Sequence, residues 1–424
     1  MNKYINKYLQ IRSEPLEMRE DIRFILLQLF VFFLPFDMLY SNIILLLLVI
    51  TTILDIKKEK IKQIPKQIWI FQLIYFLSVI GYFYSYHKSV AGFLLERQLT
   101  IILIPVLLPL AVGINEKRKR GLLNAFILSS VLTVCLLFLN VLITIKELHL
   151  PLTGIFTKEF FNHRFSAPIG IHAGYLSLYV SLCLIYTLQL IVVTKLKKIK
   201  ILLILFFVIQ LAGLIFLASR NILITTILIM SFVFPFFYVK KKLLYIISIT
   251  LLLVVGFIAV NNISYLKKRF TSELISDIKL TQSTDNFELT EPRIDRWQGG
   301  VRLFMRSPII GYGTGDEISM LKTEYIKSGL YISYLEEFNA HNQYLSYLLK
   351  NGIIGLLIFL SIFIYFVYLA FKGRDYIYIS FLFLLLIGFL TENILDANKG
   401  ILFFAFFNTF FGYNILKKSK SIPG

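Results

Sequence analysis

The sequence predicts an all-α polytopic membrane protein with about 12 transmembrane helices and one large, partly helical outer loop between the ninth and tenth. Of its 424 residues, 57% are hydrophobic and 16% aromatic, while only 16% are charged, against about 25% in soluble domains. Apolar runs recur at roughly the 20-residue length that a helix needs to cross a hydrocarbon core of about 30 Å. Lysine and arginine concentrate in alternate connections between those runs, as expected of a fixed orientation in a bilayer.

The runs lie at about 23–38, 39–55, 67–85, 98–114, 122–145, 173–194, 201–219, 221–239, 243–260, 343–371, 376–391 and 400–416. The first two are short enough to form a re-entrant pair. A mostly polar stretch precedes the first run and another run follows it at once, so no cleavable signal peptide is expected. Cys135 and Cys183 fall inside apolar runs, where they act as small hydrophobes, and neither a disulfide framework nor a zinc site is implied.

With the N-terminus inside, residues 1–23, IKKEKIKQIPK, NEKRKRG, KLKKIK, Lys240–Lys242, FKGRD and the tail KKSKSIPG fall in the cytosol. They hold more than half of the 44 Lys+Arg but under a third of the 25 Asp+Glu, so nearly all of the net charge of +19 is topological. The basic balance therefore calls for a membrane and not for nucleic acid. The polar clusters then alternate onto the outer face. They are HKSVAGFLLERQ (87–98), which includes Arg97; KELHLPLTGIFTKEFFNHRFSAPIGIH (146–172), with Arg164 and His172; the Ser219-Arg220-Asn221 turn; the loop 261–341; and TENILDANKG, with Glu392 and Asp396. The cytosolic connections are short and chemically plain, so chemistry is expected outside.

Arg220 reads either as an interfacial arginine reaching for head groups or as a functional group, since the positive-inside bias disfavours a lone outer arginine at a tight turn. In the large loop, TEPRIDRWQGGVRLFMRSP predicts a surface helix capped by Thr290, with Pro292 in its first turn and Pro308 ending it. Ile294, Trp297, Val301, Phe304 and Met305 share one apolar arc. Arg293 lies at its edge, Arg296 a little beyond, and Arg302 and Arg306 point away. Such a helix rests on a membrane, and Arg293 at its edge can bind a lipid-borne phosphate through its planar fork. GYGTGD (311–316) is neither a phosphate loop nor a dinucleotide fingerprint and reads as a tight turn. AHNQYLSYLLKNGIIGLLIF then carries His341-Asn342 to the start of the tenth run, either as a polar cap or as a base. The positive end of a helix favours neutral imidazole, which can take a proton from a hydroxyl.

Taken in order, ASRN, PRIDRWQGGVRLFMRSPIIGYGTGD and AHNQYLSYLLKNGIIGLLIF resemble the O-antigen ligase and O-antigen polymerase superfamily. Its pattern is Ser-Arg, then Arg-x3-Trp with a Pro-x-x-Gly-x-Gly turn, then His-Asn before a Leu-rich helix; FLTENILDANKGILFFAFF resembles its closing block. The resemblance covers about residues 160–416. It divides the chain into generic N-terminal transmembrane helices (1–145) and a ligase-like catalytic region (146–424) that includes the periplasmic loop 261–341.

The resemblance implies a glycosyltransferase of the bacterial inner membrane with cytoplasmic termini and a periplasmic active site. It would move a glycan from undecaprenyl diphosphate to an acceptor hydroxyl with inversion, using no nucleotide sugar, metal or cofactor. Arg220 and Arg293 match the arginines that hold the diphosphate, and His341 matches the base. Arg296, Asn342, His172, Arg164 and Arg97 are supporting candidates; plain interfacial roles stand beside His172 and Arg164, and an ion pair beside Arg97. Glu392 and Asp396 either orient the arginines or solvate a turn. The expected acceptor is lipid A-core, with a second lipid-linked repeat unit (polymerase) as the alternative and a protein hydroxyl (protein O-oligosaccharyltransferase) as a third. A lipid-linked glycan transporter fits less well, because the ionisable groups crowd the outer ends of the runs and not the bilayer midplane.

Overall fold

The computed structural model describes residues 2–56, 58–239, 261–273 and 291–420, with scattered residues between 245 and 260 and residue 275. The described residues form helices and no strand. Seven of these helices are long and apolar enough to cross a membrane: Lys66–Tyr84, Lys88–Ala111, Glu116–Glu147, Ala173–Val193, Lys197–Leu217, Arg220–Tyr238 and Gln343–Lys372. Met38–Ile53 and Tyr376–Gly388 are shorter apolar helices. The first run, 23–38, lies in Asn2–Phe33 only up to Phe33 and continues through the turn to Met38, and the last run falls within Asn398–Lys420. The ninth run, Lys240–Lys242 and the expected Thr290 cap lie outside the described residues.

Polar residues fix where these helices begin. Asp37, Asn115 and Asp375 each accept a hydrogen bond from a backbone N–H of the first turn, at 2.8, 2.8 and 3.2 Å. Packing fixes the centre of the bundle. The last helix is buried along its whole apolar length, with Phe403, Phe406, Phe407, Phe410 and Phe411 interlocked in edge-on, tilted and stacked pairs. A helix apolar on all sides belongs in the middle of a bundle.

One end of the bundle is tied by ion pairs between segments that the charge pattern assigns to one side. Arg23 pairs with Asp55 (2.9 Å) and donates to the Ala111 carbonyl (2.7 Å), Arg118 pairs with Glu20 (2.5 Å), Lys418 with Glu116 (2.6 Å), and Lys119 with Asp375. The starts of the Ala173–Val193, Arg220–Tyr238 and Gln343–Lys372 helices gather at the other end.

The loop before His341 folds as its own small unit. Helices Arg293–Arg306, Glu317–Lys327 and Tyr331–Leu335 enclose Leu303, Leu321, Tyr325 and Leu330, joined by Leu345 and Leu349 of the following helix. The first of these helices corrects the expected apolar arc: its buried positions are Arg296, Gly299, Gly300 and Leu303, while Val301 is 50% and Met305 69% exposed. Glycine makes this face. A Cβ on Gly300 would come within 2.7 Å of Leu345 Cδ2, so the helix sits closer than any apolar side chain there would allow.

The Gln343–Lys372 helix breaks at Gly352, which adopts φ 63° and ψ −164°. The break frees the carbonyls of Leu349 and Lys350, and the GYGTGD turn uses them: Tyr312 N–H donates to the first (2.8 Å) and Gly313 N–H to the second (2.9 Å). Ile353 N–H donates to the Pro308 carbonyl at 2.8 Å, so all three backbone groups are satisfied. A Cβ at Gly352 would lie 2.1 Å from the Ile309 oxygen. Gly352→Ala is expected to cost at least about 1–3 kcal/mol from backbone strain alone, read as a lower midpoint of thermal unfolding in detergent. Gly92→Ala, in a helix with nothing within 4 Å of the added carbon, should leave the midpoint unchanged or raise it.

Candidate functional site

Where the helix starts converge, a cavity of about 390 Å³ is lined by Arg220, Arg269, Arg293, His163, His172 and Glu392, among others. Each side chain is delivered by a local feature of the chain. Ala218 takes a left-handed φ of 46°, which lets the chain reverse between two helices and start the next one at Arg220. Asn221 anchors that start by donating to the Ile387 carbonyl (2.6 Å) and to Thr391 Oγ1 (2.9 Å). Arg220 Nη1 donates to the Arg269 carbonyl at 3.1 Å, and Arg269 pairs with Glu273 at 2.6 Å.

His341 sits in a left-handed conformation, φ 44°, with its N–H donating to Asn339 Oδ1 at 2.9 Å. Outside glycine this region is uncommon and gathers at functional sites. The helix cap is Asn342 and not His341: Asn342 Oδ1 accepts from Tyr344 N (3.0 Å) and Leu345 N (3.1 Å), which leaves the imidazole clear of the backbone. Its Nδ1 lies 3.3 Å from Glu392 Oε2, and the other oxygen of the same carboxylate lies 3.9 Å from Arg293 Nη2. Glu392 thus bridges the base candidate and one arginine. Trp297, one turn after Arg293, donates its indole N–H to the Ala340 carbonyl at 3.0 Å, which fixes the Arg293 helix to the His341 turn.

Burial alone would raise the Glu392 carboxyl. The hydrogen bond from His341, with the nearby His341, His172 and Arg293, outweighs it and holds the group below the usual carboxylate range. The two other histidines move the opposite way for their class. The rings of His163 and His172 pack against each other tilted by 55°, with centroids 4.2 Å apart. Desolvation, with His172 and Arg269, pushes His163 down to about 4. Desolvation, opposed by Glu392 and aided by His341 and Arg293, lowers His172. His172 Nδ1 also accepts from Gly174 N–H at 3.2 Å, so it caps the next helix as well as lining the cavity.

The cavity therefore joins three arginines to one carboxylate and two histidines that favour the neutral form. Such a site suits an anion with several oxygens. Among the described residues no group of three or more His, Cys, Asp or Glu is arranged to hold a metal ion.

Of the residues expected from sequence, Arg220, Arg293 and His172 line the cavity, His341 reaches it through Glu392, and Asn342 holds the His341 turn. Three lie elsewhere. Arg296 is buried with its guanidinium 5.1 Å from the centre of the Phe338 ring, so it packs inside the loop unit. Arg164 pairs with Glu159 on the surface. Arg97 forms no ion pair among the described residues, contrary to expectation, and lines neighbouring cavities. Arg269 and His163 were not expected; in sequence each is one more basic residue in a polar loop.

A family model described as O-Antigen ligase matches residues 205–360. That stretch contains Arg220, Arg269, Arg293 and His341. Comparison with curated proteins finds no match.

His163 also supplies a pH test. The unfolded chain binds a proton on this group below about 6.5, whereas the folded chain binds one only below about 4. Stability should therefore fall as pH drops through that window. Thermal unfolding between pH 7 and 4 is expected to show this slope, and His163→Gln should flatten it.

Proposed function

We propose, from the match of residues 205–360 to a family model described as O-Antigen ligase, that the chain is an inner-membrane glycosyltransferase working on the periplasmic face, with both termini cytoplasmic and about twelve crossings. It moves a glycan from undecaprenyl diphosphate to a hydroxyl of lipid A-core. The observation that carries this reading is the meeting of Arg220 and Arg293 in one cavity beside the His341–Glu392 pair.

Arg220 and Arg293 hold the donor diphosphate, and Arg269 adds a third guanidinium to the same wall. Glu392 accepts the Nδ1–H of His341, which fixes the tautomer and leaves Nε2 as the proton acceptor. His341 takes the acceptor's hydroxyl proton as that oxygen attacks the anomeric carbon. The bond from the anomeric carbon to the diphosphate oxygen breaks on the opposite face, and its electron pair leaves with undecaprenyl diphosphate. The arginines stabilise the charge that builds there. A diphosphate is a good leaving group, so one base suffices and no second carboxylic acid is required.

In purified, reconstituted protein, His341→Ala should lower transfer at least ~100-fold, and Glu392→Gln should lower it roughly 10- to 100-fold while leaving the fold intact. Arg220→Lys and Arg293→Lys should each be damaging, since a point charge does not reproduce the fork. Full transfer by His341→Ala would overturn the assignment of the base. For the acceptor, the glycolipid profile of a deletion strain decides: loss of all polymer from lipid A-core supports ligation, and retention of a single capped repeat assigns the acceptor to a second carrier-linked unit.

A further inference from the structure

Two more cavities open on the far side of the turn that carries Glu392. One, of about 460 Å³, is lined by Arg97, Asn339, Asn393, Asp396, Phe93 and Tyr175, among others. The next, of about 320 Å³, is lined by Met38, Asn42, Glu96 and Thr100 and shares Phe93 and Arg97 with the first. Together they form a groove from the start of the Met38–Ile53 helix to the turn before His341.

The groove lies back to back with the donor cavity. Glu392 and Asn393 are consecutive, yet the first lines the donor cavity and the second this groove, and Tyr175 lines both. At its inner end Asn339 accepts the His341 N–H and Asn393 accepts the Asn342 N–H, each at 2.9 Å. A molecule seated there would meet the residues that hold the His341 turn from the other face of the Glu392–Asn393 turn, an approach compatible with in-line displacement and inversion.

Its chemistry changes along its length. In the inner chamber the Lys350 ammonium is shared between Glu317 (3.0 Å) and Asp396 (2.7 Å), so this cation is already neutralised. Asn339 and Asp396 offer an amide and a carboxylate of the kind that bind sugar hydroxyls, while Asn393 is held between Asn342 and Asp396 and shapes the wall. At the junction Arg97 is exposed and carries no ion pair among the described residues, and the Thr100 hydroxyl is buried without a hydrogen-bond partner there. A guanidinium beside an unused hydroxyl suits a phosphate. Phe93, 64% exposed, offers apolar surface at the same junction.

We propose that this groove is the acceptor site, and that it takes a phosphate-bearing glycolipid with its phosphate on Arg97 and its sugars in the chamber beside Asn339, Asn393 and Asp396. The terms donor and acceptor rest on the function proposed above.

The test is binding to the full-length protein in nanodiscs of neutral lipid, with lipid A and undecaprenyl phosphate as separate probes. Arg97→Ala should weaken lipid A binding at least ~10-fold and leave undecaprenyl phosphate binding unchanged, Arg97→Lys should recover part of the loss, and Arg293→Ala should give the reverse pattern. If the phosphate belongs instead to a second carrier-linked glycan, wild type will bind two undecaprenyl phosphates and Arg97→Ala one, which also supports the groove. Unchanged binding of both probes by Arg97→Ala, or equal loss at the Arg293 site, overturns it. Absence of glycan transfer by the wild type would overturn the proposed function and leave this comparison standing.

Discussion

The ammonium of Lys350 is 8% exposed and lies between two carboxylates of the same buried region, Glu317 at the start of a loop helix and Asp396 in the last turn of the chain before the central helix. Without that cation the two acids would face each other with little solvent to separate them, and removing one member of a buried ion pair costs about 3–5 kcal/mol. The cluster extends by hydrogen bonds. Glu317 accepts from the Ser346 hydroxyl at 2.6 Å, and the Asn393 amide donates to Asp396 at 3.0 Å. Asn393 in turn accepts the Asn342 N–H. The separation of Glu392 from His341 is thus set by a buried ionic knot that neither residue belongs to.

The same helix accounts for the docking of the loop unit. The break at Gly352 comes two residues after Lys350, and the carbonyls it frees are the ones that hold Tyr312 and Gly313. Backbone groups left open inside a membrane helix are tolerated only where protein satisfies them. Here the turn that satisfies them also carries Asp316 and Glu317 into place. The ionic knot and the broken helix therefore stabilise one arrangement, and Trp297 extends it to Arg293.

Much of this was legible in the sequence, and what was not has identifiable causes. The spacing of apolar runs and the placing of lysines gave an all-helical chain with Arg220, Arg293 and His341 at one end, because burial and charge asymmetry are one-dimensional signals. Arg296 was misjudged because an apolar arc counts hydrophobic side chains, while the buried face of that helix is made by Gly299 and Gly300, whose value is closeness. The role of Asn342 as cap was hidden by the unusual φ at His341, which places the cap one residue later. Arg269 and Glu392 depend on which distant turns meet. Nothing in KKRF marks Arg269 as the neighbour of Arg220, and TENILD offered Glu392 as a partner for the arginines without showing that it also meets His341.

The bridge carries a mechanistic consequence, since one carboxylate serves two cations. Before transfer, Glu392 interacts electrostatically with Arg293 at 3.9 Å, an attraction that solvent screening and desolvation reduce well below its bare Coulomb value. On the proposed mechanism the proton arrives on His341 as the anomeric bond to diphosphate breaks. The new imidazolium, 3.3 Å from Glu392, then competes for the carboxylate just when negative charge grows on the leaving group. On that mechanism the His341–Glu392 contact would strengthen and the hold of Glu392 on Arg293 would weaken, leaving the arginine freer for the diphosphate. The arginine is thereby partly compensated in the ground state and most available in the transition state, which is the condition under which a charge accelerates a reaction and does not merely tighten binding.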